Sequence, residues 1–253
     1  MGLDIYTGTL TRYYTHNWKT VTEVWCEKYG YTYNVVGNED VGEKLSPEET
    51  LVITTEWQQQ ILSGLKDVLG EVPAWNEDYE QTPYYTEKPD WDALNALLLY
   101  ISAKMTDEIV PEIVNKNFDL YEHPLYKKFL SEQKSAFSLF HGDGWWLPIK
   151  DAFIFKYPLP TGTENIISTV GMLKNELEAI NNLEWKADKE TILSWISTEG
   201  YPTDSVIEND GTVKDIANHE QYDTISLAKF AFAILYNMVE FSLKNGTPII
   251  YDY

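Results

Sequence analysis

The chain has 253 residues, 43% of them hydrophobic and 14% aromatic, so it holds ample material for a folded core and is not globally disordered. Forty acidic residues against nineteen basic ones give a formal net charge of −21 at pH 7. A field of that sign repels phosphate backbones and anionic lipid headgroups, so we expect neither nucleic-acid binding nor docking on a membrane. It favours positively charged partners, or it serves only to keep the protein soluble, which is the default interpretation of net charge.

The N-terminal segment over residues 3–14 is rich in Thr, Tyr and Ile, which predicts extended chain with Gly8 as a turn or bulge. This segment carries Arg12, the only arginine beside eighteen lysines. In a hairpin that turns at residues 7–9, Asp4 would lie opposite Arg12, whereas in a straight strand the two could not meet. We expect a partly buried guanidinium bonded to a carboxylate, with Asp4 the nearest candidate; a ligand-binding role for Arg12 is the alternative.

The rest of the chain alternates helix and strand signals. Helices are predicted from Asn17 to Tyr29, from Ser46 to Leu69, from Asp90 to Met105, over Pro124–Gln133, from Thr163 to Asn181, from Asp188 past Trp195, and from Thr224 to Lys244. Strands are predicted over Tyr31–Val36, two or three times between residues 135 and 162, and at the closing TPIIYDY run. The clearest single signal is Ser46-Pro47-Glu48-Glu49, which combines a cap, a first-turn proline and a glutamate that can reach back.

Residues 71–89 contain three prolines together with acidic and aromatic residues. Such a stretch is either a linker between domains or a loop that wraps on the surface of one domain. Its tryptophan and tyrosines favour the surface-wrapping loop.

The last long helix is apolar almost all round and long enough, in principle, to span a bilayer. It contains Lys229, Asn237 and Glu240, each of which costs heavily at membrane depth. This favours a buried core helix and no membrane span. With strands at both ends and in the middle, the chain is predicted to be an α+β, helix-rich single domain over residues 1–253, with a small mixed or antiparallel sheet.

The most chemically suggestive short run is HGDG, in which glycines free the backbone around His141 and Asp143. No HxH or HExxH spacing occurs among the four histidines, so we predict no metal and no cofactor. An ordinary turn is the alternative interpretation. Trp145 and Trp146 follow, and in a strand they point to opposite faces, so one is expected in the core and an exposed one would be an anchor for a ligand or partner.

Cys26 is the single cysteine, which excludes an intramolecular disulfide and a cysteine-based metal cluster. The N-terminal run has neither the basic nor the apolar region of a signal peptide. Tyr6 stands where myristoylation needs Ser or Thr. We therefore expect a cytoplasmic protein.

Three segments carry a resemblance: MGLDIYTGTLTRYYTHNW at the N-terminus, GWWLPI in the middle, and FKYPLPTG after it. They resemble an uncharacterised family of bacterial cytoplasmic proteins, and the resemblance implies no particular activity. The acidic, aromatic-rich composition is also similar in character to immunity proteins of bacterial toxin systems. That second likeness covers composition only and implies no site residue.

Our leading hypothesis is a cytoplasmic binding protein, in one form an immunity-type inhibitor, that presents an acidic and aromatic face to a basic protein partner. The alternative is a hydrolase-like or small-molecule-binding enzyme whose pocket gathers Arg12, His16, His141 and Asp143. No nucleophile elbow and no dinucleotide fingerprint occurs in the sequence. A deep pocket where Arg12 meets His141 would favour the enzyme, and an acidic patch with an exposed tryptophan would favour the binding protein. The oligomeric state is left open.

Overall fold

The computed structural model describes residues 2–33, 45–132, 137–141, 144–208 and 212–253. Helices and a mixed six-stranded sheet make this an α+β fold, as predicted. In chain order the elements are β1 (Asp4–Thr7), α1 (Leu10–Tyr14), α2 (Val21–Tyr29), α3 (Pro47–Gly64), β2 (Tyr85–Glu87), α4 (Asp90–Met105), β3 (Ile113–Asn115), α5 (Pro124–Glu132), a 3-10 helix (Ser138–Phe140), β4 (Trp145–Leu147), β5 (Ile154–Pro158), β6 (Glu164–Thr169), α6 (Val170–Leu183), α7 (Lys189–Thr198), β7 (Ser205–Ile207), β8 (Val213–Asp215), β9 (Gln221–Asp223), α8 (Thr224–Asn245) and β10 (Ile249–Asp252).

The chain divides into two compact units. The first, called here the helical unit, comprises Met1–Leu3, Pro89–Ala136 and Glu176–Asn237. The second, called the sheet unit, comprises Asp4–Lys88, Phe137–Asn175 and Met238–Tyr253. Because each unit gathers separated stretches of chain, no linker in the sequence could have marked them. The prediction that residues 1–253 form a single domain concerns whether the chain unfolds as one cooperative unit, and it stays a prediction.

The sheet unit contains the six-stranded sheet, whose strand order is β2-β1-β10-β4-β6-β5. Neighbouring strands are antiparallel except β4 and β6, which are parallel, so the sheet is mixed. The two ends of the chain meet in its centre, where Tyr6 lies opposite Ile250. The terminal strands, both predicted from the sequence, are therefore neighbours in the sheet.

The N-terminal segment differs from the prediction of continuous extended chain. The strand ends at Thr7, and Thr9 then caps helix α1, accepting a hydrogen bond at 3.2 Å from the backbone N–H of Arg12. Threonine is favoured in strands and at helix caps alike, so composition alone could not separate the two. The expected Asp4–Arg12 pair is also wrong, because Asp4 pairs with Lys88 at 3.4 Å.

Two further helix starts were misplaced. Helix α2 begins behind a capping box of Thr20 and Glu23 and not at Asn17. The helix expected from Thr163 begins only after residues 164–169, which form β6 along the edge strand β5.

The start of α3 was predicted correctly. Ser46 and Glu49 form a reciprocal capping box, with Ser46 Oγ accepting from the Glu49 N–H at 3.2 Å. The helix ends at Gly64 and not at Leu69. Of the strand expected at residues 31–36, the first three residues have no regular structure and the others lie outside the described residues.

Residues 71–84 run without helix or strand along the sheet unit, and Tyr85–Glu87 then join the sheet as β2. Trp75 is buried in this stretch, and its carbonyl accepts a hydrogen bond from Gln58 at 2.9 Å. The N–H of Asn76 donates to the carbonyl of Gly246 at 2.7 Å. These contacts hold the stretch against the sheet unit.

The helical unit contains α4, α5, α7, the end of α6 and most of α8, together with the two-stranded sheets β3–β9 and β7–β8. Residues 231–235 of α8 are completely buried, and the Phe232 ring lies edge-on to Trp185 and Trp195. Among the described residues α8 is the one helix long and apolar enough to cross a membrane, and 56% of its apolar window is buried inside the protein. Burial of that kind is typical of a core helix, in line with the sequence.

Candidate functional site

A cleft of about 550 Å³ opens in the helical unit, a volume typical of ligand pockets. Its walls come from the start of α4, the residues that follow β3, the residues that precede β7, and the residues from the end of the β8–β9 connection into β9. Three kinds of side chain dominate it: the carboxylates Asp90, Asp92 and Asp204, the aromatic rings Trp91, Phe118, Tyr201 and Tyr222, and the basic groups Lys116 and His219. We call it the acidic cleft.

The first turn of α4 carries two of the carboxylates, and a tyrosine fixes that turn. Pro89 precedes the helix and makes no side-chain capping bond. The hydroxyl of Tyr201 takes over this role, accepting from the Ala93 N–H at 3.0 Å and donating to the Pro89 carbonyl at 3.1 Å. Both hydrogen-bonding functions of the phenol are therefore used to hold the turn that presents Asp90 and Asp92. The positive end of the helix dipole further favours carboxylates there.

Two residues of the cleft wall have left-handed backbone. Asp90 has φ 58° and Asn117 has φ 55°. Asp and Asn tolerate this conformation better than other residues with a Cβ, because their short polar side chains can form local hydrogen bonds. At Asn117 a neighbouring side chain also holds the backbone, since the N–H of Asn117 donates to Asp92 Oδ2 at 3.1 Å.

Asp92 is the most deeply buried of the three carboxylates in the acidic cleft, with 9% of its surface exposed. Burial raises its pKa above the ordinary value and the nearby charge of Asp90 adds to the rise, whereas the Asn117 N–H and the charge of Lys116 oppose it. A desolvated carboxylate of this kind interacts more strongly with a cation than one in open water does.

Tyr222 forms part of the buried side of the cleft. It projects from β9, only 8% exposed, with its ring edge-on to Tyr201 at 5.1 Å between centroids. Burial raises the pKa of its phenol, and four nearby carboxylates raise it further: Asp92, Asp204, Glu220 and Asp90. The phenol therefore stays neutral, and its raised pKa indicates that negative charge is concentrated around it.

The basic side chains occupy the continuation of the β3–β9 ladder. The backbone N–H of Lys116 donates to the carbonyl of Glu220 at 2.9 Å, which extends the ladder by one step and brings Lys116 beside the chain segment of His219. Over the ranges that the structure describes, neither of these two side chains forms a hydrogen bond or an ion pair with another residue.

Taken together, three carboxylates face one lysine, so the acidic cleft is net negative when His219 is neutral. Carboxylate oxygens accept hydrogen bonds from an ammonium or guanidinium, and aromatic faces attract the same groups. The arrangement can therefore hold an organic cation. Within the described residues no group of three His, Cys, Asp or Glu side chains is arranged to hold a metal ion.

Arg12, the first residue singled out in the sequence, lies on α1 in the sheet unit. Its guanidinium is partly buried as expected, but its partners are backbone carbonyls: Asn17 and Thr82, each at 3.3 Å, and Tyr79. It also lies over the Tyr84 ring, with 5.1 Å to the centroid. The prediction of a carboxylate partner for Arg12 is therefore wrong. Through Tyr79 and Thr82, Arg12 anchors the stretch of residues 71–84. A single lysine ammonium could not contact these separated carbonyls in the same way as the planar guanidinium does.

The other residues predicted for a pocket do not gather around Arg12. His16 is exposed just after α1 with φ 52°, and His141 is exposed at the end of the 3-10 helix. Asp143 lies outside the described residues. His141 lines a space of about 10 Å³ with the two tryptophans that follow it, and neither Arg12 nor His16 is among the lining residues. That space has room for about one water molecule.

Trp145 and Trp146 are both buried, at 7% and 1% exposure, so neither is the exposed anchor that the sequence left open. The reason is the position of β4 between β10 and β6, inside the sheet, where both faces are covered. The Trp146 indole N–H donates to Ser138 Oγ at 2.8 Å, and its ring packs edge-on against Tyr251. None of the nine tryptophans, all of which lie in described residues, is among the exposed large hydrophobic side chains.

Sequence reasoning also missed Glu77, a buried carboxylate in the sheet unit. It accepts hydrogen bonds from the Trp75 indole at 2.9 Å and from the Thr11 backbone N–H at 3.2 Å. Burial raises the pKa of Glu77 to about 7, and these hydrogen bonds oppose the rise. In the sequence it is one acid among several in residues 71–80, so nothing local distinguishes it.

The acidic cleft left one weak sequence signal. Asp92 falls inside a helix whose other residues from Ala93 to Ala103 are almost all buried, and a charge at such a position is unusual. Tyr201, Tyr222 and Lys116 reach the cleft only through tertiary pairing, which periodicity does not reveal.

No family model matches the chain, and neither a curated protein nor a solved structure matches it. The resemblance of the N-terminal and central segments to bacterial cytoplasmic proteins therefore stays a prediction.

Proposed function

We propose that the protein is a binding protein whose acidic cleft receives a positively charged side chain, lysine or arginine, of a basic protein partner. The observation that carries this proposal is the convergence of Asp90, Asp92 and Asp204 with four aromatic rings in one cleft. The immunity-type inhibitor of a basic toxin is one form of the proposal, and composition alone favours it.

Charge supports the choice of ligand. The cleft is net negative, and the whole chain carries a formal charge of −21, so an approaching cation is attracted both at long range and at the site. An anionic ligand would meet three carboxylates, one of them already desolvated.

Preorganisation supports a binding role as well. Asp92 is held by the Asn117 N–H, and the turn that carries it is held by Tyr201. Groups already fixed in place lose little conformational entropy on binding, so more of the interaction energy appears as affinity.

The test uses a short acetylated and amidated peptide, Gly-Gly-Lys, beside the same peptide with norleucine in place of lysine. We expect the lysine peptide to bind and to shift the NMR signals of the Asn117 and Ala93 amides. Asp204→Asn should weaken it by about three- to tenfold, since charge-assisted contacts of this kind are worth about 1 kcal/mol. Asp215→Asn, an exposed site on β8 outside the cleft lining, is the matched control. Equal binding of the two peptides, or no binding of either at millimolar concentration, would contradict the proposal.

A further inference from the structure

The two basic side chains of the acidic cleft have no evident role in a site that only holds a cation. Lys116 lines the same cleft as Asp92 and is near enough to act on its charge, so its own positive charge repels a cationic ligand there. A cleft selected for a cation alone would be better without Lys116. Its presence indicates that the ligand brings a negative group as well.

The side chains of Lys116 and His219 also form no hydrogen bond or ion pair with a carboxylate or carbonyl of the described chain. Asp92 is nevertheless near enough for the charge of Lys116 to act on it. Several other lysines of this unit are paired, for example Lys128 with Glu108 at 2.5 Å and Lys229 with Glu199 at 3.0 Å. An unpaired ammonium in a concave wall, beside an imidazole, is the arrangement that receives a carboxylate.

The size of the cleft points the same way. About 550 Å³ is far more than the end of one lysine side chain fills, and lies in the range of clefts that hold whole small ligands. The segments that supply the charges are separate: Asp90 and Asp92 come from the first turn of α4, whereas Lys116 and His219 come from the end of the β3–β9 ladder.

We infer that the acidic cleft binds the C-terminal end of a partner chain that terminates in a basic residue. The α-carboxylate lies against Lys116 and His219, and the basic side chain lies among Asp90, Asp92 and Asp204. This inference rests on the proposed function, to which it adds the part of the partner that enters the cleft. No covalent step is involved.

The test compares acetyl-Gly-Gly-Lys as the free acid with the same peptide as the amide, by calorimetry. We expect the free acid to bind about tenfold more tightly, the effect of one well-placed charged pair. Lys116→Met should remove this difference, because it weakens the acid and slightly strengthens the amide by deleting a cation beside Asp92. Lys127→Met is the matched control, since Lys127 is 53% exposed on α5 and does not line the cleft.

The possible results distinguish failure of the C-terminal assignment from failure of the proposed function. If acid and amide bind equally while both exceed the norleucine peptide, the C-terminal assignment is overturned and the cation-binding proposal stands. If norleucine replaces lysine without loss, the proposed function itself fails. A difference between acid and amide that persists in Lys116→Met would overturn the assignment of the carboxylate to Lys116. Free lysine binding as tightly as the peptide would overturn the choice of a chain terminus over an amino acid.

Discussion

Glu77 makes the stability of the sheet unit depend on pH in a direction opposite to that of most carboxylates. Its pKa is raised by burial from 4.5 to about 7. The folded protein therefore holds the Glu77 proton between these two values and the unfolded chain does not. Stability from this group is fully present below pH 4.5 and is lost as the pH rises to about 7. At about 1.4 kcal/mol per pKa unit, the loss is about 3 kcal/mol.

Glu77→Gln removes the titration and keeps the shape. Each of the two oxygens of Glu77 accepts a hydrogen bond, one from the Trp75 indole and one from Thr11. The amide of the variant has a single oxygen, so the variant loses about one hydrogen bond, or about 1 kcal/mol. We therefore expect the variant to be less stable than wild type by about 1 kcal/mol at pH 4.5 and more stable by about 2 kcal/mol at pH 8.

Urea unfolding of both proteins at half-unit steps from pH 4.5 to 8 measures this crossing. The buried phenols near Glu77, Tyr6 and Tyr14, do not interfere, because burial raises their pKa values far above this range. Glu71→Gln, an exposed acid in the same stretch of chain, is the control for a simple change of charge. A stability difference between Glu77→Gln and wild type that stays constant with pH would refute the reasoning.

Three other perturbations test separate parts of the structure. Phe232→Ala should cost about 3–5 kcal/mol in urea unfolding because the ring is completely buried, whereas Ile225→Ala on the same helix, 37% exposed, should cost much less; a loss below about 1 kcal/mol for Phe232→Ala would contradict its core position. Tyr201→Phe should lower stability by about 1–3 kcal/mol and also weaken the lysine peptide, and unchanged affinity would show that the phenol does not position the cleft. Arg12→Lys should lower the thermal midpoint and expose residues 71–84 to proteases, so an unchanged midpoint and cleavage pattern would exclude the anchoring role.

Local chemistry explains which elements could be predicted. The start of α3 was found because its cap, its proline and its glutamate are all within four residues. Helix α1 was missed because Thr9 serves as a cap in a segment whose composition suits a strand. The edge pair β5–β6 hid the true start of α6, since Thr163 looks like a cap whether helix or strand follows. Each of these errors concerns a residue type with two structural uses.

The candidate site shows a different limit. The cap of α4 is a tyrosine more than a hundred positions away, so no reading of the α4 sequence could supply it. Conversely, Arg12 drew notice by composition, and the structure gives it backbone carbonyls of residues 79 and 82 as partners. A rare residue type marks a demanding contact, and in this chain that contact stabilises the fold.

The electrostatics of the chain act at two ranges, and the two contribute differently to binding. The formal charge of −21 belongs to the whole surface; it speeds the encounter with any basic partner and is screened by salt beyond about 10 Å. It cannot distinguish one cation from another. In the proposed complex the acidic cleft makes that distinction, because Asp92 is desolvated and fixed by the Asn117 N–H, and we expect its contribution mainly in how long a ligand stays bound. The carboxylate that we propose to lie against Lys116 is a negative group, which the net charge of the protein repels. The partner that we propose is therefore basic overall, and it carries a negative group at the one place where the cleft is positive.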